Sequence, residues 1–225
     1  MTNLQSLAVG FTQVDGHGLE HLKALPNLNN LVLGGAQVTD TGLDVLNEFR
    51  ELRKLNLSRT RITDTGLEHL AALSRLESLD LVATRITDAG LVHLKPLNVL
   101  QSLNLFGTEL TGSGLLHLGR MQHLRKLALD ETRVDDASLM HLETHSELEV
   151  LTLANTRVTN AGLPSLRKLG SLRRLSLGGN RIDDSGLTYL SGLRRLESLD
   201  LSMTHVTAGG IEDLQRSLPN AVITW

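Results

Sequence analysis

The sequence predicts an α/β solenoid of nine 24-residue units, with a parallel strand sheet inside and short helices outside. Three observations carry this expectation. First, a leucine opens each unit, at Leu4, Leu28, Leu52, Leu76, Leu100, Leu124, Leu148, Leu172 and Leu196, and no insertion or deletion disturbs the spacing. A fixed internal period of this length is the mark of a repeat architecture. Second, residues after that leucine alternate: Leu79 and Leu81 are apolar while Ser78, Asp80 and Val82 take the other side, the period of a strand. Third, later leucines such as Leu91, Leu94 and Leu97 recur every three residues, which places them on one face of a short helix.

With positions numbered 1 to 24 from the opening leucine, each unit reads as strand, turn, helix and return. Position 9 is threonine in most units (Thr60, Thr84, Thr108) and asparagine at Asn180, a column of polar groups suited to satisfying buried backbone at the turn. Threonine or aspartate at position 12 (Thr63, Thr87, Asp135, Thr159, Asp183) is the expected helix N-cap, and the following Asp64, Asp88 and Asp184 suit the positive end of the helix dipole. Position 15 is glycine except at Ser138, so close packing rather than a positive φ is its expected requirement. Strands stack about 4.8 Å apart and helices about 8 to 10 Å, so the array must curve with its strands on the concave side. Pro164 and the glycines predict outer helices of about two turns. The whole of 1–225 reads as a single domain, with a closing strand in 217–225. The first unit, starting at Leu4, has no polar cap; missing residues before Met1 or a contact covering that unit are expected.

Composition narrows the function classes. The 22 basic and 25 acidic residues give a net charge of -3, which favours neither nucleic acid nor an anionic membrane as partner. Zero cysteines exclude thiolate metal sites and cysteine nucleophiles. The N-terminus carries no basic and apolar leader and no long apolar run occurs, so a cytoplasmic location is expected.

The unit Leu-x-x-Leu-x-Leu with threonine at the ladder position, followed by Thr-Asp-x-Gly-Leu-x-x-Leu (Thr63 to Leu70, Thr87 to Leu94), resembles the leucine-rich repeat superfamily, in particular its bacterial and F-box-associated repeats. The resemblance covers residues 4 to about 219. It implies a right-handed leucine-rich-repeat solenoid, a horseshoe that binds other proteins through its concave strand face.

Several constellations have a plain structural reading beside the chemical one. His17-Gly18-Leu19-Glu20-His21 matches a zinc peptidase pattern, but Glu20 and His21 recur as Glu68 and His69 in the same repeat context. The histidines of position 18 (His21, His69, His93, His117, His141) read as a solvated face, because neighbouring helices stand too far apart for a shared metal. His145, at a core position, reads as a local defect or a partly exposed packing residue. Arg61, Arg85, Arg133, Arg157 and Arg181 at position 10 accompany Asp64, Asp88, Asp136 and Asp184 at position 13, which predicts a surface ion-pair ladder. No cofactor, metal or catalytic group is expected. Outward positions 3, 5, 7 and 8 vary freely, as a binding surface on a constant scaffold does. The predicted contact set is Lys54, Asn56, Arg59, Asp80, Val82, Asn104, Phe106, Lys126, Asp130 and Glu131, with Phe106 as a solvent-facing anchor. The expected function is a non-catalytic protein-protein interaction module. A structural or regulatory extension, or the substrate-recognition region of a larger multidomain enzyme or ligase, is the alternative.

Overall fold

The computed structural model describes residues 3–225, so Met1 and Thr2 of the expected domain lie outside the described residues. Ten three-residue strands form one parallel sheet in chain order: β1 (Ser6–Ala8), β2 (Asn30–Val32), β3 (Lys54–Asn56), β4 (Ser78–Asp80), β5 (Ser102–Asn104), β6 (Lys126–Ala128), β7 (Val150–Thr152), β8 (Arg174–Ser176), β9 (Ser198–Asp200) and β10 (Val222–Thr224). The pairing register is the sequence period itself. Leu103 lies opposite Leu79 on one side and Leu127 on the other, each 24 residues away. Beyond the strands the ladder continues, with Leu105 N–H donating to Ala128 O and Gly107 N–H to Asp130 O, both at 2.9 Å. The core lies between sheet and outer segments. In one unit it takes Leu76, Leu79, Leu81, Ile86, Leu91, Leu94 and Leu97, all buried.

The outer segments differ from the expected α-helices in most units. Asp40–Glu48, Asp64–Ala72, Gly90–Leu94, Ser113–Arg120 and Ala137–Leu142 are 3-10 helices. Leucines at strict three-residue spacing match 3.0 residues per turn better than 3.6, while Leu163–Leu166 and Asp184–Leu187, with the same leucine spacing, are short α-helices. The last unit shows the converse. Its helix Ala208–Ser217 is α, and its buried apolar residues fall at Ile211, Leu214 and Leu218, one residue later than the three-residue rule gives. That spacing follows 3.6 residues per turn. After Pro219 and Asn220 the chain returns to phase, because Val222 pairs with Ser198, again 24 residues away. Ser217 therefore ends the helix, and the closing strand is Val222–Thr224. Gln215 Nε2 donates to Leu218 O (2.8 Å) and Ala221 O (3.0 Å), tying helix end to strand.

Position 9 seals the turn. Each threonine hydroxyl there donates to the carbonyl three residues back, as Thr60 to Leu57 O, Thr84 to Leu81 O and Thr132 to Leu129 O, all at 2.6 Å. Asn180 does more, donating to both Leu153 O and Leu177 O while accepting from the Thr156 N–H and hydroxyl. His145 corrects its sequence reading, because it is fully buried rather than partly exposed. Its ring nitrogens lie 3.2 Å from Leu142 O and 3.1 Å from Leu118 O, so the imidazole bridges two successive units where leucine only packs.

Position 8 is also corrected. In all nine units its φ is positive, at Phe11, Gly35, Arg59, Ala83, Gly107, Glu131, Asn155, Gly179 and Met203. The turn imposes a left-handed conformation that costs an L-residue roughly 1 to 2 kcal/mol, so this position is conformationally constrained and not free. Glycine fills it in three of the nine units; in the others a side chain is retained against that cost.

Candidate functional site

The rim that follows the strands is held by an aspartate staple between successive units. Asp40 accepts from the Thr63 N–H at 2.7 Å and hydroxyl at 2.6 Å; Asp64 does the same for Thr87, Asp136 for Thr159 and Asp184 for Thr207. Each carboxylate thus serves the helix of the next unit rather than its own. At Thr63 the hydroxyl donates to Asp40 and makes no cap hydrogen bond, contrary to the N-cap expectation. The staple also explains the glycines of position 15. A Cβ on Gly90 would stand 2.2 Å from Asp64 Oδ1, and one on Gly66 2.4 Å from Asp40 Oδ1. Ser138 is tolerated because the unit before it carries Gly112 instead of aspartate. The Ser138 hydroxyl donates to Asp135 O at 2.6 Å, and its N–H donates to Asp135 Oδ1 at 3.1 Å.

The expected ion-pair ladder between position 10 and position 13 does not form. Among the described residues none of Arg61, Arg85, Arg133, Arg157 and Arg181 pairs with a carboxylate, because the aspartates are already committed to the threonines. An ion-pair ladder does exist, on the opposite rim just before the strands. There Arg53 pairs with Glu77, Arg125 with Glu149 (2.9 Å) and Arg173 with Glu197 (2.5 Å). These exposed pairs contribute about 0 to 1 kcal/mol each.

Burial alone would raise the pKa of Asp40, but hydrogen bonds from the Thr63 hydroxyl and N–H, the Thr65 hydroxyl and the Gly66 N–H outweigh it and hold the carboxyl low. Asp88 is lowered likewise: burial opposes, and Thr111, Gly114, Gly112 and Ser113 prevail. Stability from these two groups is present above the unfolded aspartate value of about 3.9 and is lost as pH falls through their lower folded values. Melting temperature should therefore drop between pH 5 and pH 2.5, and Asp40→Asn should flatten that drop. An unchanged acid profile in the variant would contradict the staple.

On the strand face, the structure divides the predicted contact residues in two. Lys54, Arg59, Lys126 and Glu131 are exposed, and their side chains make no hydrogen bond or ion pair among the described residues. Asn56, Asp80, Asn104 and Asp130 are half-buried and tied to the scaffold. Asn56 donates to Asp80 Oδ2 (3.1 Å) and accepts from the Ser58 N–H (2.9 Å). Asp80 accepts from the Val82 N–H (3.0 Å), and Asn104 accepts from the Phe106 N–H (3.2 Å). Asp130 accepts from the Thr152 hydroxyl and from the Ala154 N–H (2.8 Å). Phe106 and Val82 are half-buried, so Phe106 is less solvent-facing than expected; it sits at position 7, as Val82 and Asp130 do in the neighbouring units. The apolar side chains that stand clear include instead Phe11 at 80% and Met203 at 88% exposure, both at position 8, and Val222 at 70% on β10. A further cluster, not singled out in the sequence, joins Asp200 to Ser176 and Ser202. Burial opposes ionisation of Asp200, and those hydroxyls and the Ser202 N–H lower its pKa regardless.

The histidine constellations assemble no site. Glu20 is paired with Lys23 at 2.5 Å. His117 has its pKa lowered, first by burial and then by Lys95. Among the described residues no group of three or more histidines and carboxylates is placed to hold a metal ion. No helix among them is long and apolar enough to cross a membrane.

Two leucine-rich repeat family models match the chain, over residues 146–206 and 50–71. Among solved structures, the chain is similar to internalin C2 of Listeria monocytogenes, with a TM-score of 0.71 and 27% identity over 90% of this chain and 80% of that one. It is similar in fold to a plant peptide hormone receptor, RGFR1, solved in complex with RGF2, with a TM-score of 0.60 and 18% identity over 88% of this chain and 36% of the receptor. No curated protein sequence matches the chain.

Proposed function

We propose, from the premise that this chain is a leucine-rich repeat protein, that it is a non-catalytic module that binds a protein partner on its strand face around β3 to β6. The observation that carries this reading is the contrast between scaffold and surface. Core and turn positions are occupied by near-identical residues from unit to unit, whereas Lys54, Arg59, Lys126 and Glu131 stand exposed and unpaired on one continuous face. A constant frame that presents varied, unengaged side chains is the arrangement used for recognition. Neighbouring Val82 and Phe106 add half-covered apolar surface, which a partner would desolvate fully. The receptor solved with RGF2 supplies a precedent for ligand binding on this fold, though only the fold is shared at that identity.

The test uses two charge-altered variants. Lys126→Glu with Glu131→Lys changes the strand face without altering net charge or any hydrogen bond described above. Leu116→Glu with Met140→Glu changes the outer face, where Val92, Leu116 and Met140 form an exposed apolar stripe. With a partner captured by the intact chain, calorimetry should show at least tenfold weaker binding for the strand-face variant and unchanged binding for the other. Loss confined to the outer-face variant would move the site there.

A further inference from the structure

The arginines of position 10 are left without carboxylate partners by the aspartate staple. Arg133, Arg157 and Arg181 come from three successive units and are all exposed. Their backbones run in one continuous ladder. Arg157 N–H donates to Val134 O at 2.9 Å, and bridges join Asp135 to Arg157 and Thr159 to Arg181. Successive arginines therefore emerge in the same direction at about the strand spacing of 4.8 Å.

The aspartates around Arg157 and Arg181 are engaged elsewhere, while Glu109 and Glu131 stand exposed and, among the described residues, unpaired beside Arg133. Asp136 is bound to Thr159, Asp184 to Thr207, Asp183 to Ser185 and Asn160, and Asp135 to the Ser138 N–H. The opposite rim behaves differently, since its arginines alternate with glutamates along the same stack and are neutralised in pairs. Between Arg157 and Arg181 the surface opens into a cleft of about 380 Å³, lined also by Thr156, Val158, Thr159 and Gly179. Gly179 is the position-8 residue of its unit, and a Cβ there would stand 2.1 Å from Asn155 Oδ1.

We infer that this rim is a second recognition site, for an acidic peptide segment whose carboxylates are received by Arg133, Arg157 and Arg181, with one carboxylate seated in the cleft beside Gly179. Arginine presents a planar fork that holds a carboxylate through two parallel hydrogen bonds. In an extended peptide, side chains two residues apart lie on one side at about 7 Å, within the span of three arginines on adjacent units. A single nucleic-acid strand is the rival polyanion, but it is bound through aromatic side chains on which bases stack, and positions 9 to 12 carry no aromatic residue in any unit. The inference is independent of the strand-face reading, because it uses none of the same residues.

Fluorescence anisotropy of the intact chain with a fluorescein-labelled hexaglutamate peptide, at low and at physiological salt, tests it. Binding should weaken with salt and fall at least tenfold in Arg157→Glu with Arg181→Glu. It should stay within twofold in Arg167→Glu with Arg194→Glu, which changes net charge equally on exposed outer positions. Arg157→Gln with Arg181→Gln, read alongside circular dichroism, repeats the test without charge reversal and should also lose binding. Lys126→Glu with Glu131→Lys should not weaken hexaglutamate binding, whatever its effect on the strand-face partner. Equal loss in the outer control, or no binding at low salt, overturns the site; tighter binding of oligo-dT than of hexaglutamate overturns its assignment to an acidic peptide.

Discussion

Leu103→Ala should cost about 2 to 5 kcal/mol of stability, the largest effect expected of any change considered. Leu103 is 1% exposed and lies between Leu79 and Leu127, which are held in place by their own strand pairings. Neither neighbour is free to move into the vacated volume, so the cavity persists and its lining loses contacts on both sides. Denaturant unfolding measures the loss directly. A change below about half a kilocalorie, the size of an ordinary surface substitution, would contradict the strand register.

Gly90→Ser should cost about 2 to 3 kcal/mol, the range of an overpacked core site, although the residue added is small and polar. A serine Cβ there would fall 2.2 Å from Asp64 Oδ1 and 3.2 Å from Asp64 Cα, so the staple to Thr87 has to break or the units move apart. Adding Asp64→Gly to the same chain should restore part of the stability, because the pair then copies Gly112 and Ser138, which already coexist two units further along. The double variant should unfold at a higher denaturant concentration than Gly90→Ser alone. If the two changes simply add, the units are not joined by the carboxylate and the account of position 15 is wrong.

That pair of residues shows what the sequence could and could not yield. Leucine spacing at 24 residues was enough for the sheet, its register and the core, because one period specified all three. The glycine of position 15 was correctly read as a packing requirement, yet what it packs against was missed. Arg85 and Asp88 were compared within one unit, where they are three residues apart, whereas the contacts that form join residues 23 or 24 apart, as in Asp64 with Thr87 and Arg125 with Glu149. The signal was present: Gly112 precedes the one unit with Ser138, and arginine and glutamate occupy position 2 at Arg125, Glu149, Arg173 and Glu197. Helix type was only partly legible: the later leucine at Leu218 marks the long α-helix, but leucines at i, i+3 and i+6 accompany both the 3-10 segments and the short α-helices Leu163–Leu166 and Asp184–Leu187. The positive φ at position 8 was hidden, because six of the nine units put a side chain there instead of glycine. Similarly, Asn56, Asp80, Asn104 and Asp130 look free in the sequence, and only the hydrogen bonds to their neighbours show that they also serve the scaffold.

Hydrogen-deuterium exchange of the intact chain, with and without its captured partner, tests the strand-face assignment most directly. Backbone amides buried under a partner exchange more slowly, and every strand can be compared with its outer segment in one experiment. The account predicts added protection over residues 54–59, 78–83, 102–107 and 126–131, with the segments around Val92, Leu116 and Met140 unchanged. Protection confined to those outer segments, with the strand face exchanging as in the free chain, would contradict it.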